Sequence, residues 1–156
     1  MKQVIAGAAL ATAARAALPH LLKAKFTRDV ARLNAGDHGP LLEAYADDFV
    51  LHFNDGDHRW AGDWTGKDGM DRFLRLYTAA GVQGRIGSIT VSGPPWALTM
   101  WVRFDDWSDD GGTRLYENRT VLVLRTKWGK VVDQEDYYFD TERIAAFERA
   151  LVERGR

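Results

Sequence analysis

Every second residue of the stretch Leu98-Thr-Met-Trp-Val-Arg-Phe104 is large and apolar. Successive side chains of a β-strand point to opposite faces of a sheet, so this alternation predicts a strand with one buried face. Thr99, Trp101 and Arg103 then share its outer face, and an exposed Trp there is typical of a contact between protein molecules. The stretch therefore predicts a sheet that covers an apolar core on one side.

The segments on either side of this stretch predict the rest of the sheet and the helices that cover it. Strands are predicted at Phe49 to Phe53, Ile86 to Ser92, Trp96 to Trp107, Leu115 to Thr126 and Val131 to Phe139, with a polar loop from Asn54 to Asp63. Helices are predicted over His20 to Ala35, around Leu41 to Tyr45, from Thr65 to Gly81 and after Asp140. Helices cluster early and antiparallel strands cluster late, which indicates the α+β class, with a strongly curved, mainly antiparallel sheet around the helices.

The composition indicates one globular domain and excludes cysteine chemistry. The chain has 156 residues, of which 46% are hydrophobic, and a formal net charge of -1. This near-neutral charge gives no electrostatic reason to expect nucleic acid as the main partner. The lack of cysteine excludes disulfides and thiolate sites, and it is compatible with the cytoplasm, where we expect the protein to act. Six Trp, five Tyr and seven Phe are enough to fill a core and to line a cavity.

The first residues are interpreted as a retained Ala-rich helix rather than as a cleaved signal segment. Residues 4–14 are mostly Ala, the strongest helix former, and they fall short of the roughly 20 apolar residues that a membrane span needs. Pro19 suits the first turn of a helix, so a second helix is expected to begin near it. We therefore expect an N-terminal helix over residues 1–18, and a main domain with a C-terminal helix over residues 19–156.

Four segments carry a resemblance to a known family: Arg28-Asp-Val-Ala-Arg-Leu-Asn-Ala-Gly-Asp37, Tyr45-Ala-Asp-Asp-Phe-Val-Leu-His52, Trp60-Ala-Gly-Asp-Trp-Thr-Gly-Lys67 and Gly129-Lys-Val-Val-Asp-Gln-Glu-Asp-Tyr-Tyr-Phe-Asp140. Over about residues 20–145 the chain resembles the SnoaL-like branch of the nuclear transport factor 2-like superfamily. The resemblance implies a cystatin-like, conical α+β barrel that encloses one pocket and forms homodimers through its outer sheet face. Ketosteroid isomerases, polyketide cyclases, limonene epoxide hydrolases and ligand-binding proteins share that fold, so the fold alone does not choose a function.

The resemblance also assigns expectations to individual residues. The tyrosine, the general-base aspartate and the oxyanion-binding aspartate of the ketosteroid isomerases fall on Asp29, Phe53 and Val121, so all three roles of that mechanism are lost. The arginine of the epoxide hydrolases falls on Arg119, but the aspartate that follows it has become Val121. The single acid–base aspartate of the SnoaL-like cyclases falls on Asp136 of the last strand. Asp136 is therefore the first candidate for a catalytic residue.

The residues themselves give a separate argument for the same site. Asp29 lies at the edge of the apolar stripe of its helix, where an unpaired buried carboxylate would be costly. If the faces of Arg119 and Asp136 point inward, a guanidinium and two carboxylates converge in an aromatic cup. One carboxylate would then be held ionised and the other, with a raised pKa, would move protons. Alternatively, Arg119 and Asp136 form a structural ion pair, or both face solvent as charged strand residues usually do.

Three functional hypotheses follow, the third being an interaction module whose outer sheet face recruits another protein. In the first, the protein is a cofactor-independent acid–base enzyme of the cyclase, isomerase or hydrolase type, acting on a polyketide-, steroid- or terpenoid-like compound. In the second, it binds a small hydrophobic molecule without catalysis. The expected cavity lining is the same for the first two hypotheses, although each of its residues would serve equally well as core filling: Phe53, Trp60, Trp64, Met100, Phe104, Val121 and Tyr138.

Neither function is expected to need a metal or an organic cofactor. The four His residues show no metal-ligand spacing, and the sequence has no phosphate-binding glycine loop. Asp105, Asp106, Asp109 and Asp110 crowd one predicted turn, and we interpret them as exposed turn residues rather than as calcium ligands. An enzyme of this kind would rely on placed charges and on the exclusion of water.

Overall fold

The helices and strands follow the predicted order, with one additional strand. The computed structural model describes the backbone of residues 2–156 and the side chains from Ala16 onward. The helices are α1 (Lys2–Asn34), α2 (Gly39–Leu42), α3 (Gly66–Ala79) and α4 (Thr141–Glu153). The strands are β1 (Tyr45–Phe53), β2 (Gly62–Thr65), β3 (Val82–Ser92), β4 (Thr99–Asp110), β5 (Thr113–Lys127) and β6 (Lys130–Tyr138).

All six strands form one curved sheet in the order β2-β1-β6-β5-β4-β3. Of the described strand pairs, β1 and β6 are parallel and the other four are antiparallel. β2 and β3 are the two edges, so the sheet curves round the helices without closing on itself. The predicted α+β class with a mainly antiparallel sheet is confirmed, whereas the expected barrel is open along one side.

Two strand assignments differ from the sequence prediction. β2 pairs antiparallel with β1, from Val50 opposite Thr65 to Phe53 opposite Gly62, at the end of the segment predicted as a loop. β1 begins at Tyr45, where the sequence predicts a short helix. An edge strand of four residues is too short to show an alternation, and its backbone hydrogen bonds to β1 are what define it.

α1 continues through Pro19, where the sequence predicts the start of a separate helix. A proline inside a helix removes one backbone hydrogen bond, but the Ala-rich segment before it has high helix propensity. No helix begins or ends at Pro19, so the expected division of the chain at this residue stays a prediction. The side chains of residues 1–15, on which the expectation of a retained leader rests, lie outside the described part. No described helix combines the length and the apolarity that a membrane span requires.

The helices pack against the sheet face that carries the core. α1 contacts β3, α3 contacts β1 and α4 contacts β5. Asn34, the last residue of α1, fixes the first of these contacts, because its side-chain amide donates to the Gly84 carbonyl and accepts from the Gly84 N–H, both at 2.9 Å. A Cβ atom at Gly84 would lie 2.0 Å from the Phe104 ring. The close approach of α1, β3 and Phe104 therefore requires glycine at this position.

We predict that Gly84→Ala lowers the free energy of unfolding by about 1 to 3 kcal/mol, because the added methyl group overpacks the space against the Phe104 ring. Urea unfolding measures this change. Gly87→Ala on the same strand is the matched control, since a Cβ there meets its nearest neighbour at an ordinary 3.4 Å. Equal stability of the two variants would contradict the close approach.

Candidate functional site

An inner cavity of about 80 Å³ lies between α1, α3 and the concave face of the sheet. Apart from Gln134, Asp136 and the hydroxyls of three tyrosines, its lining is apolar. The lining residues are Phe26, Val30, Leu33, Leu41, Tyr45, Met70, Phe73, Leu74, Tyr77, Ile86, Val102, Phe104, Leu122, Leu124, Gln134, Asp136 and Tyr138. A mostly apolar cavity with a few polar groups that point into it is the usual form of a small-molecule site.

Two further spaces adjoin this inner cavity. A second cavity of about 20 Å³, towards α4, shares Phe73, Tyr77 and Tyr138 with it. An outer groove of about 240 Å³, beside α2 and the β5–β6 turn, shares Phe26 with it. Phe26 thus stands between the inner cavity and the wider groove, and the aromatic rings of α3 stand between the two cavities.

Asp136 is the one carboxylate that lines the inner cavity. The alternation of β6 points Gln134, Asp136 and Tyr138 towards the core, and the Asp136 residue is only 7% exposed. The Gln134 amide donates to Asp136 Oδ1 at 2.8 Å, and the Tyr45 hydroxyl donates to Gln134 Oε1 at 2.9 Å. Among the described side chains, no cation forms a salt bridge with Asp136. Burial raises the pKa of Asp136 to about 7, although the Gln134 hydrogen bond opposes that rise.

Asp106 on β4 is a second buried carboxyl, and it lines the second cavity. It is 2% exposed, and its carboxylate accepts hydrogen bonds from the Tyr138 hydroxyl at 3.0 Å and the Tyr116 hydroxyl at 3.2 Å. Burial raises its pKa to about 7, against the effect of the two tyrosine hydrogen bonds. The charge of Asp106 in turn contributes to the raised pKa of Asp136. The site therefore holds two carboxyls that titrate near neutral pH.

Residues 26–134 match the family model described as the SnoaL-like domain, which is more than half of the chain. The chain belongs to the SnoaL-like domain family. No curated protein matches this SnoaL-like protein in sequence.

Solved structures of low sequence identity share the fold. Bal32a, from a soil-derived mobile gene cassette, is 21% identical with a TM-score of 0.60, over 80% of this chain and 92% of its own. The beta subunit of benzoate 1,2-dioxygenase from Burkholderia mallei is 15% identical with a TM-score of 0.62, over 81% and 94%. A candidate polyketide cyclase from Xanthomonas campestris is 18% identical with a TM-score of 0.53, over 76% and 90%. At these identities the likeness shows the fold and leaves the function to the site residues.

Five of the residues expected in the site of this SnoaL-like protein line its inner or second cavity. Phe104, Asp136 and Tyr138 line the inner cavity. Phe53 and Trp60 line the second cavity, which Tyr138 also borders. The roles of these residues stay predictions.

Two more expected lining residues lie away from the inner cavity. Met100 is buried at the wall of the outer groove. Trp64 is half-buried on β2, where its indole N–H donates to the Trp60 carbonyl at 3.0 Å and its ring packs edge-on against Phe73. Trp64 therefore supports residues of the cavity wall and is not itself among those that line a described cavity.

The expected convergence of Arg119 with Asp136 is wrong. On β5 the inward positions are taken by Tyr116, Asn118 and Thr120, so Arg119 points to the outer face, with its guanidinium 4.9 Å from the centre of the Phe139 ring. Val121 shares this outward parity and therefore does not line the inner cavity either. The alternation of β5 is regular, but the sequence does not show which of its two mixed faces is buried.

Asp29 also lies outside the cavity lining. It is buried, as the spacing on α1 predicts, but its carboxylate pairs with Lys25 at 2.6 Å and lies 3.8 Å from Arg28. The α1 side chains that reach the inner cavity are Phe26, Val30 and Leu33. Asp29 is therefore a buried carboxylate that is stabilised by a salt bridge. It is not among the residues that would contact a molecule in the inner cavity.

Asp106 is a site residue that was not predicted. Its run of aspartates predicts an exposed turn, but β4 continues to Asp110 and Asp106 is buried. The alternation of β4 could have predicted its burial, because the buried positions Met100, Val102 and Phe104 are followed two residues later by Asp106. A run of aspartates hid that step, since such a run is usually solvated.

No metal site is apparent in this part of the molecule. Among the described residues, no three carboxylate or imidazole side chains gather closely enough to hold a metal ion. The polar groups of the inner cavity instead suit hydrogen bonding and proton transfer to a small molecule.

We predict that the two buried carboxyls, Asp106 and Asp136, lower the stability of the protein as the pH rises from about 4 to about 7. Both buried carboxyls have a folded-state pKa of about 7, above the ordinary value of 3.8, so the folded protein keeps protons that the unfolded chain releases in this range. Each carboxyl contributes a slope of up to about 1.4 kcal/mol per pH unit, and Asp136→Asn removes the contribution of Asp136.

Urea unfolding between pH 4.5 and 8.5 measures this slope. The exposed Asp48→Asn on β1 is the matched control and is expected to leave the slope unchanged. If Asp136→Asn and Asp48→Asn follow the wild-type curve equally, Asp136 does not carry the proton in the folded state.

Proposed function

We propose that the inner cavity binds a small apolar molecule that carries a carbonyl group, and that Asp136 transfers a proton on it without a metal or an organic cofactor. The observation that carries this proposal is the Asp136 carboxyl itself, buried in an apolar cavity with one amide as its partner. Placing a carboxyl there costs stability, and it makes the group a good acid and base at neutral pH.

The proton transfer needs only atoms of the molecule and of Asp136. The carboxylate takes a proton from a carbon next to the carbonyl. The electron pair of that C–H bond forms a carbon–carbon double bond, and the π pair of the carbonyl moves to its oxygen to give an enolate. The protonated Asp136 then returns the proton to a carbon or oxygen of the enolate. A pKa of about 7 keeps both the ionised and the protonated form of Asp136 available at neutral pH. The apolar lining limits the access of water to the enolate.

The size of the spaces limits the class of molecule. The inner cavity, at about 80 Å³, is smaller than the roughly 150 Å³ that holds a benzene ring, so a single small ring requires the lining to move apart. A polyketide-, steroid- or terpenoid-like compound would extend past Phe26 into the outer groove. The likeness of the fold to a candidate polyketide cyclase supports a compound of this chemistry. A displaced Phe26 ring is therefore part of the proposal for any larger compound.

A second candidate is a binding protein of the same fold without catalysis. It is favoured by the placement of the two other charged groups expected in the site, since Arg119 lies on the outer face and Asp29 is paired with Lys25. Asp136 would then be a polar anchor for a hydroxyl or carbonyl group. The two candidates differ only in whether a proton is exchanged.

We predict that the protein accelerates the exchange of α-protons for deuterium in a small apolar ketone such as cyclohexanone or acetophenone, dissolved in D₂O and followed by NMR. Asp136→Asn is expected to lower the accelerated rate about 10²- to 10⁴-fold, the usual contribution of a positioned base. The rate is expected to rise with pH through about 7, because the ionised carboxylate is the base.

Asp133→Asn is the matched control for this exchange, since Asp133 is on the same strand and pairs with Arg125 on the opposite face. It is expected to keep the wild-type rate. Ketone binding without accelerated exchange would support the binding protein, and equal rates for the two variants would remove Asp136 from the mechanism.

We further propose that two copies of the chain associate through the outer sheet face. Trp101, Tyr137 and Phe139 leave about half of their side chains or more open to solvent there, at 40%, 54% and 65% exposure. Val121 lies between Arg103 and Tyr137 in the strand register, so an apolar side chain adjoins the Tyr137 ring. Exposed aromatic rings of this kind are common at contacts between copies.

We predict that the wild-type protein has the mass of two chains in size-exclusion chromatography with light scattering. Trp101→Asp is expected to give the mass of one chain, because it places a charge in the apolar contact. Trp128→Asp, at the exposed β5–β6 turn, is the control and is expected to keep the mass of two. A wild-type mass of one chain would contradict the proposed contact.

A further inference from the structure

The Tyr77 hydroxyl is buried without a hydrogen-bond partner. α3 presents Phe73 and Tyr77 one turn apart, and both rings line the inner and the second cavity. Among the described atoms, none lies within hydrogen-bond distance and geometry of the Tyr77 oxygen. A buried hydroxyl without a partner costs about 1 to 3 kcal/mol, so its position needs a reason.

The hydroxyl groups of the neighbouring tyrosines already donate hydrogen bonds within the protein. The hydroxyls of Tyr116 and Tyr138 both donate to Asp106, and the hydroxyl of Tyr45 donates to Gln134. Of the tyrosines that line the two cavities, Tyr77 alone therefore has a proton that the described residues leave uncommitted. Its oxygen lies within the electrostatic influence of Asp106, Tyr116 and Asp136.

We propose that the Tyr77 hydroxyl donates a hydrogen bond to the carbonyl oxygen of the molecule held in the inner cavity. This inference rests on the proposed function and deepens it, because it requires the ligand to present an oxygen acceptor towards α3 while its adjacent carbon faces Asp136. The donor bonds more strongly to an enolate than to a neutral carbonyl, so it stabilises the charge that forms when Asp136 takes the proton.

The surroundings of Tyr77 keep it in the form that can donate. Burial and the nearby acidic groups raise its pKa well above the ordinary value, so the hydroxyl stays protonated at neutral pH. The one competing occupant is a water in the second cavity, whose volume of about 20 Å³ is enough for a single water molecule. A water there would satisfy the hydroxyl from the other side and leave the ligand unbonded to Tyr77.

Two probes of the same shape separate these explanations: cyclohexanone, and methylenecyclohexane, in which a CH₂ group replaces the oxygen. We expect the wild-type protein to bind cyclohexanone more tightly, by roughly three- to tenfold for one hydrogen bond. We also expect infrared spectra of ¹³C-labelled cyclohexanone to show a carbonyl stretch at lower wavenumber when bound than in hexane. Tyr77→Phe is expected to lose both the preference and the infrared shift.

Tyr137→Phe, on the outer face, is the matched control and is expected to keep both signals. Tyr77→Phe removes a hydroxyl without a partner, so we expect it to be at least as stable as the wild type in urea unfolding. A clear loss of stability in Tyr77→Phe would instead indicate a water or another group bound to the hydroxyl, and would overturn the proposal.

The remaining outcomes separate this inference from the proposed function. If both probes bind the wild type equally and the bound carbonyl stretch is unshifted, Tyr77 is not the donor, while the cavity remains a binding site. If neither probe binds, the proposed function fails and the assignment of Tyr77 fails with it. An unshifted stretch in the wild type decides the first point without a variant, whereas a shifted stretch is assigned to Tyr77 by its loss in Tyr77→Phe.

Discussion

The burial of the Asp136 carboxyl is the constraint on which the rest of the site depends. A carboxyl among aliphatic and aromatic side chains is stable only if it is protonated, paired or hydrogen-bonded, and here one amide from Gln134 is its described partner. That amide is itself held by Tyr45, so the polar groups form a short chain anchored at the start of β1. The apolar packing of the surrounding core offsets the cost of this arrangement.

The fold separates its charges into two groups with different roles. On the outer face, acidic and basic side chains form pairs such as Arg125 with Glu135 and Arg85 with Asp105, where water screens them. On the inner face, Asp106 and Asp136 meet tyrosines and an amide instead of cations. The same curved sheet therefore carries a screened, ion-paired surface on one side and, on the other, two mostly apolar cavities that are each bordered by one buried carboxyl.

Local patterns were sufficient to predict most of the fold. Strict alternation in β4 and helical spacing in α3 each fix an element because one face is buried and the other is wet. β2 could not be predicted, since four half-exposed residues become a strand only by pairing with β1. Pro19 misled the helix assignment, because the tendency of a proline to begin a helix is weaker than the propensity of the Ala-rich segment before it.

The sequence by itself determined the α+β class and the family, because both follow from residue order and from the alternation within each segment. It left open which faces of β5 and β6 point inward. Only the tertiary structure decided the contents of the site. It turned Arg119 outward, paired Asp29 with Lys25 and brought Asp106 from a run of aspartates into the core. The physical reason is that the burial of a residue depends on which strands and helices pack together. The residues adjacent to it in the sequence do not show which residues it contacts in the folded protein.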